Sequence, residues 1–226
     1  GADIEHSAPS QGIPVEAPTL LAELQRHPSF LMVGTIEPRK GYLQVLQAFD
    51  QLWQRGLQVH LVIVGRTGWK DLPISSQRDI PATLEALNKH PQKNRLLHWI
   101  DNASDEYLEK IYAASTCLIA ASYDEGFGLP LIEAAQHKLP IMARDIAVFR
   151  EVAGEHAYYF DGLAPQDLAS AIERWLALHA SGQHPRSDAM PWLTWAQSAQ
   201  QFLQRILPAS AQPSSQPLHN TSQIGL

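Results

Sequence analysis

Two short loops carry the residue types that bind anions. Gly34-Thr35-Ile36-Glu37-Pro38-Arg39-Lys40-Gly41 follows an apolar run and opens a helical pattern. Arg39 can grip phosphate oxygens in a bidentate fork, and Lys40 adds a point charge. A helix N-terminus adds outward N–H groups and a partial positive charge at the same place. A solvated basic pair at a helix start would oppose the helix dipole, so a bound anion explains the placement better. The second loop is Tyr123-Asp124-Glu125-Gly126-Phe127-Gly128-Leu129-Pro130-Leu131-Ile132-Glu133. Its glycine turn leads into a helix with Pro130 in the first turn, where Pro is well accommodated. Amides at Gly128 and Leu129 form a second anion-binding helix start. Glu125 lies just before the turn, and Glu133 lies one turn into the helix. A carboxylate near a diphosphate repels the phosphates but can accept two hydrogen bonds from a ribose diol. Taken alone, Glu133 is also explained as an early-helix carboxylate favoured by the dipole.

Other chemistries find little support. The spacing fits neither G-x-x-x-x-G-K-[ST] nor G-x-G-x-x-G, which disfavours a P-loop NTPase and a dinucleotide oxidoreductase. The ten histidines show no ligand spacing, and no Asp-x-Asp occurs, so no metal site is expected. Cys117 is the only cysteine, which rules out an intrachain disulfide and a cysteine metal cluster. It sits mid-strand and reads as core packing.

The loops need a scaffold, and the sequence supplies alternating strand and helix signals. Strands are expected at 30–33, 59–64, 96–100, 117–120, 140–143 and 158–160. Helices are expected at 41–55, 80–90, from Ser104 to near Ala114, at 130–137, and from Pro165. In the helix from Gly41, the apolar Tyr42, Val45, Leu46, Phe49, Leu52 and Trp53 share one face. Gly56 stands where a helix C-cap is expected. Ser104 is a good N-cap, with Asp105 and Glu106 in the first turn. Short apolar strands alternating with helices imply an α/β fold, a doubly wound parallel sheet in a single Rossmann-like domain. Ligands in such folds bind at the carboxyl ends of the strands, where both loops lie.

The chain has 226 residues, and the usual domain size gives one domain with extensions. The expected division is a linker over 1–28, the Rossmann-like domain over 29–180, a helical extension over 181–207 and a disordered tail over 208–226. One short helix is expected from Thr19 to His27, and Trp192 and Trp195 are expected to dock a late helix onto the body. The formal net charge of −6 and pI near 5.9 disfavour broad nucleic-acid binding. No apolar run reaches the length of a membrane span, and no signal peptide is visible. A cytoplasmic location is expected.

The stretch Glu125-x7-Glu133 around Gly-Phe-Gly-Leu-Pro resembles the E-x7-E signature of retaining glycosyltransferase family 4. The resemblance covers roughly 30–178. It includes Val33-Gly34, Arg39-Lys40-Gly41, Val62-Ile63-Val64-Gly65, Leu108, Tyr112-Ala113-Ala114-Ser115 and Glu151-Val152-Ala153-Gly154, in the family's order. That family has two Rossmann-like domains facing a cleft, the GT-B architecture, and this chain resembles the C-terminal, donor-binding one. The segment 1–18 resembles the stretch that follows the interdomain hinge.

The resemblance implies roles at the matching positions. Arg39 and Lys40 hold the diphosphate, and Glu125 hydrogen-bonds the sugar and is counted with them as catalytic. Phe127, Gly128 and Leu129 line sugar and phosphates, Glu133 binds the ribose, and Trp99 and Ile100 lie by the nucleobase. Many members carry Gly-Arg where this chain has Gly34-Thr35, and Arg66 is a candidate replacement for the missing cation. The implied reaction is transfer of a hexose, with mannose and a GDP donor favoured, from a nucleotide-diphosphate sugar to a glycan or lipid-linked glycan. No cofactor or metal is expected. The acceptor site would lie on an N-terminal domain outside this sequence, which would leave the isolated domain inactive. Membrane contact, peripheral to the inner membrane, is expected only through a full-length parent. A GT-B-like epimerase or phosphorylase, and a non-catalytic nucleotide-sugar-binding module, remain alternatives. Incubating the parent with nucleotide sugar and no acceptor separates the first, and a parent without transferase activity favours the second.

Overall fold

The short apolar runs become parallel strands, whose two covered faces suit continuous Val, Ile and Leu rather than alternation. The computed structural model describes residues 12–68 and 78–206. Its strands are β1 (Ser29–Val33), β2 (His60–Val64), β3 (Leu97–Ile100), β4 (Cys117–Ala120), β5 (Ile141–Arg144) and β6 (Ala157–Phe160). They form one six-stranded sheet in the order β3-β2-β1-β4-β5-β6, with every neighbouring pair parallel. The order reverses between β1 and β4, so the crevice at their carboxyl ends is the expected ligand position.

The helices are α1 (Ala17–Arg26), α2 (Tyr42–Gln54), α3 (Ile80–Lys89), α4 (Asp105–Ala114), α5 (Leu129–Gln136), α6 (Ala147–Ala153), α7 (Pro165–Ala180) and α8 (Trp195–Ile206). The expected face of α2 is buried in full. Phe49 of α2 and Trp175 of α7 each meet Phe30 of β1 edge-on, at 5.7 and 5.4 Å. That aromatic cluster fixes α2 and α7 against the strand that feeds the first loop. Burying such a side chain contributes about 1.5–3 kcal/mol. The Ser104 hydroxyl accepts the Tyr107 amide at 3.1 Å, so α4 is capped as expected.

Several boundaries differ from expectation. Arg39 and Lys40 do not open the helix. They lie on a 3-10 turn, Pro38–Lys40, and α2 starts at Tyr42 after Gly41 in the left-handed region. A β-carbon at Gly41 would sit 2.5 Å from the Ala121 carbonyl, so the turn needs glycine for both its φ of +72° and its contact. Helix α6 and the 3-10 turn Gly154–His156 were not anticipated. The first helix begins at Ala17 rather than Thr19 and packs against α4.

Of the described residues, 12–68 and 78–191 constitute one compact unit, and 192–206 belong to another. In the second unit the Thr194 hydroxyl accepts the Gln197 amide at the start of α8. Phe202, Leu203 and Ile206 of that helix are exposed, and Trp192 precedes the helix rather than belonging to it. The tail expected over 208–226 and part of the loop from Gly65 to Asp79 lie outside the described residues.

Candidate donor site at the strand switch point

Beyond β1 the chain must turn sharply, and the close approach of neighbouring strand ends decides how. A β-carbon at Gly65 would lie 1.8 Å from the Gly34 carbonyl oxygen, so only glycine lets β2 leave beside this loop. The Gly34 amide donates to Val64, and the Ile36 amide to Arg66. Tyr42 sends its hydroxyl to the Gly34 carbonyl at 2.5 Å. Burial raises the Tyr42 phenol, with Glu37 and Glu125 adding to the rise, so it stays a donor. These contacts aim the Pro38–Lys40 turn at the end of β4.

Glu125 meets that turn. Its Oε1 accepts Arg39 Nη1 at 2.7 Å, and its Oε2 accepts Lys40 Nζ at 2.6 Å and the Ser122 hydroxyl at 3.1 Å. Arg39 also reaches Glu37 at 3.0 Å, and its carbonyl accepts the Tyr123 amide at 2.7 Å. The Lys40 and Glu125 side chains are only 14% and 11% exposed, so water screens this pair less than a surface pair. Burial pushes the Glu125 carboxyl up, but the hydrogen bonds from Lys40 and Arg39 outweigh it and hold the carboxyl below its ordinary value. The hydrogen bond to Glu125 raises Arg39 in turn.

Lys40, Ser122, Glu125, Gly128 and Phe149 share a narrow cleft at the ends of β1 and β4. Gly128, in the left-handed region, is the N-cap of α5. Pro130 has no N–H, and the Leu131 amide donates to the Gly128 carbonyl, so the outward amides are those of Gly128 and Leu129 rather than a longer run. Phe127 and Leu129 hold their side chains in solvent on either side of Gly128. Glu133, on α5, accepts the Tyr112 hydroxyl of α4 at 2.7 Å.

A second, more open and roomier cleft lies at the ends of β1, β2 and β3. It gathers Gly34, Thr35, Arg66, Asp101 and Asn102. Arg66 donates to the Asn102 amide oxygen at 2.6 Å in the cleft that Thr35 also lines. Trp99 and Ile100 are not in the lining. The Trp99 indole donates to the Gly65 carbonyl at 3.0 Å and packs against the core, and the Ile100 carbonyl accepts the Gly65 amide. The residues that follow them form this wall instead. Among the described residues, no three of His, Cys, Asp and Glu converge in a metal-holding arrangement.

Residues 21–189 match the family described as glycosyl transferases group 1. This chain belongs to that family. The group 1 chain is 52% identical over 216 residues to the serotype-specific mannosyltransferase WbdA of Escherichia coli, covering 96% of this chain and 25% of the relative. It is 30% identical over 139 residues to the O-antigen chain mannosyltransferase B of Escherichia coli, covering 61% and 33%. Among solved structures, it resembles sucrose-phosphate synthase from Thermosynechococcus elongatus with a TM-score of 0.65 and 24% identity, covering 85% and 48%. The UDP-forming α,α-trehalose-phosphate synthase from Burkholderia vietnamiensis gives 0.63 and 16%, covering 75% and 42%. These likenesses establish the expected Rossmann-like half of a GT-B fold. The group 1 chain spans about a quarter of the length of the WbdA relatives.

Sequence reasoning did not anticipate Ser122, Tyr42 or Tyr112 at this site. Tyr112 stands in a stretch that resembles the family, but its partner lies on another helix. Ser122 and Tyr42 are common residue types in no motif, and only the fold brings them to the strand ends.

Proposed function

We propose that this domain binds the nucleotide-diphosphate-sugar donor of a retaining mannosyltransferase that extends a glycan. One observation carries the reading. Arg39 and Lys40 converge on a single carboxylate at the strand switch point, so two cations are already oriented around anionic oxygens. A diphosphate presents the same kind of oxygens. As the bond from the sugar to the diphosphate breaks, negative charge grows on the leaving oxygens. Arg39, Lys40 and the α5 amides would stabilise that charge, which lowers the barrier. Glu133 would take the ribose diol and Glu125 the sugar hydroxyls, with Phe127, Gly128 and Leu129 around them. Thr35 and Arg66 would flank the phosphates, and the wall after Trp99 and Ile100 would face the base.

Mannose is the favoured sugar because the WbdA and O-antigen chain relatives described above are named mannosyltransferases. The donor contacts are cationic side chains and amides, so binding is expected without divalent metal. The acceptor would be held by parts of the protein beyond this chain, and this chain alone would bind donor without efficient transfer. Titration with GDP-mannose, UDP-glucose and ADP-glucose in EDTA tests this. GDP-mannose should bind most tightly. Absence of binding by any of the three, or binding only after magnesium is added, would overturn the reading.

A further inference from the structure

Glu133 stands on the first turns of α5, and a free Glu there would sample many rotamers. It is not free. The Tyr112 phenol of α4 is buried, and its hydroxyl donates to Glu133 Oε2 at 2.7 Å. The Tyr112 ring stacks on His137, one turn after Glu133, with centroids 5.0 Å apart and planes 5° from parallel. The ring is therefore fixed by α5 itself, and its hydroxyl is fixed with it. Burial and the neighbouring Glu133 carboxylate hold the phenol protonated, so it donates and never repels.

We propose that Tyr112 is a positioning residue for donor binding. It ties down one oxygen of Glu133 and leaves the other oxygen's lone pairs for the ribose diol. This rests on the reading of Glu133 as the ribose acceptor. A locked carboxylate has already lost the rotamer freedom that binding would otherwise cost. Tyr112 acts only through Glu133, so its effect is confined to ligands that carry the diol.

The test titrates this chain and its Tyr112→Phe variant with guanosine diphosphate and with 2′,3′-dideoxyguanosine diphosphate. Phe keeps the ring on His137 and removes only the hydroxyl. The variant should bind guanosine diphosphate about tenfold more weakly, and the dideoxy ligand as tightly as the parent does. In a Glu133→Ala background the same substitution should have no further effect. Equal weakening of both ligands would make Tyr112 a general structural residue, and no weakening of either would make the contact idle. Both results overturn the proposal. If the unaltered chain binds both ligands equally, the ribose reading of Glu133 itself fails, which is a separate outcome. Should Tyr112→Phe fail to fold, His137→Ala, which removes the stacking support, should show the same ligand-selective loss in weaker form. A loss shared by both ligands there, or no loss, would overturn the proposal.

Discussion

Lys40 Nζ lies 2.6 Å from Glu125 Oε2, and the other oxygen of that carboxylate holds Arg39. The Glu125 carboxylate offsets one of these two positive charges, and Glu37 pairs with Arg39 as well. A diphosphate must share or displace Glu125 to reach both cations. On the proposed donor reading, Glu125 would oppose the bare diphosphate and favour a ligand whose sugar hydroxyls can occupy it.

From this, Glu125→Ala should bind bare nucleoside diphosphate at least as tightly as the parent and the intact nucleotide sugar more weakly. Calorimetric titration of both ligands against the variant decides it. Loss of bare diphosphate binding would mean that Glu125 organises the phosphate site rather than guarding it.

Arg39→Ala and Lys40→Ala should each weaken nucleoside diphosphate binding. A hydrogen bond to a charged group contributes about 1.5–3 kcal/mol, or roughly 10- to 150-fold in affinity. Each variant leaves Glu125 with its other cation, so the melting temperature should change little. A collapsed melting temperature with unchanged affinity in the protein that remains folded would make the pair structural.

Glycine need separates two positions that look alike in the sequence. Gly56 has φ +84° with nothing within 4 Å of an added β-carbon, so Gly56→Ala should cost only the left-handed backbone strain, about 1–2 kcal/mol. Gly65→Ala would drive a β-carbon to 1.8 Å from the Gly34 oxygen and 2.6 Å from its carbonyl carbon, backbone atoms that cannot swing aside as a side chain can. It should exceed the usual range of about 0.5–3 kcal/mol and disturb diphosphate binding as well. Denaturant melts of both variants check this, and similar losses would contradict the close approach.

Much of the scaffold was legible because its signals are local. Runs such as Leu61–Val64 and Cys117–Ala120 are apolar throughout, and the Tyr42–Trp53 face repeats at helical spacing. Helix α6 is only seven residues long and mixes Arg150 and Glu151 with apolar residues, which is too little periodicity to declare a helix. The 3-10 turn escaped because Pro38 suits a helix start as well as a tight turn. The loops that hold the site were found, but their internal pairing was not. Lys40 and Glu125 lie 85 residues apart, and their contact depends on β1 and β4 being neighbours. The hydrogen bond from the Trp99 indole to the Gly65 carbonyl was equally hidden, since a place at a strand end does not tell which way the indole turns.

Three imidazoles stack at the opposite end of the sheet from the site. The His98 ring lies 5.4 Å from that of His60, which lies 5.7 Å from that of His27. Burial, and then His60, push His98 down to about 4, against the hydrogen bond to the Arg95 carbonyl. Burial and then His27 lower His60 too, although Glu23 opposes this. A folded value below the unfolded one, near 6.5, means that the unfolded chain takes up protons first as pH falls. Stability should be level above about pH 6.5 and decline from there toward pH 4. His98→Leu should shrink that decline, as read by denaturant midpoints across the range. A midpoint that rises on acidification would contradict the assignment.

The most direct test of the donor-site account compares guanosine diphosphate with guanosine by calorimetry on this chain. In the proposed site Arg39, Lys40 and the α5 amides would act on phosphate oxygens, so the diphosphate should bind at least about 100-fold more tightly, two charge-assisted contacts being enough for that difference. Equal affinity for the two ligands would contradict it.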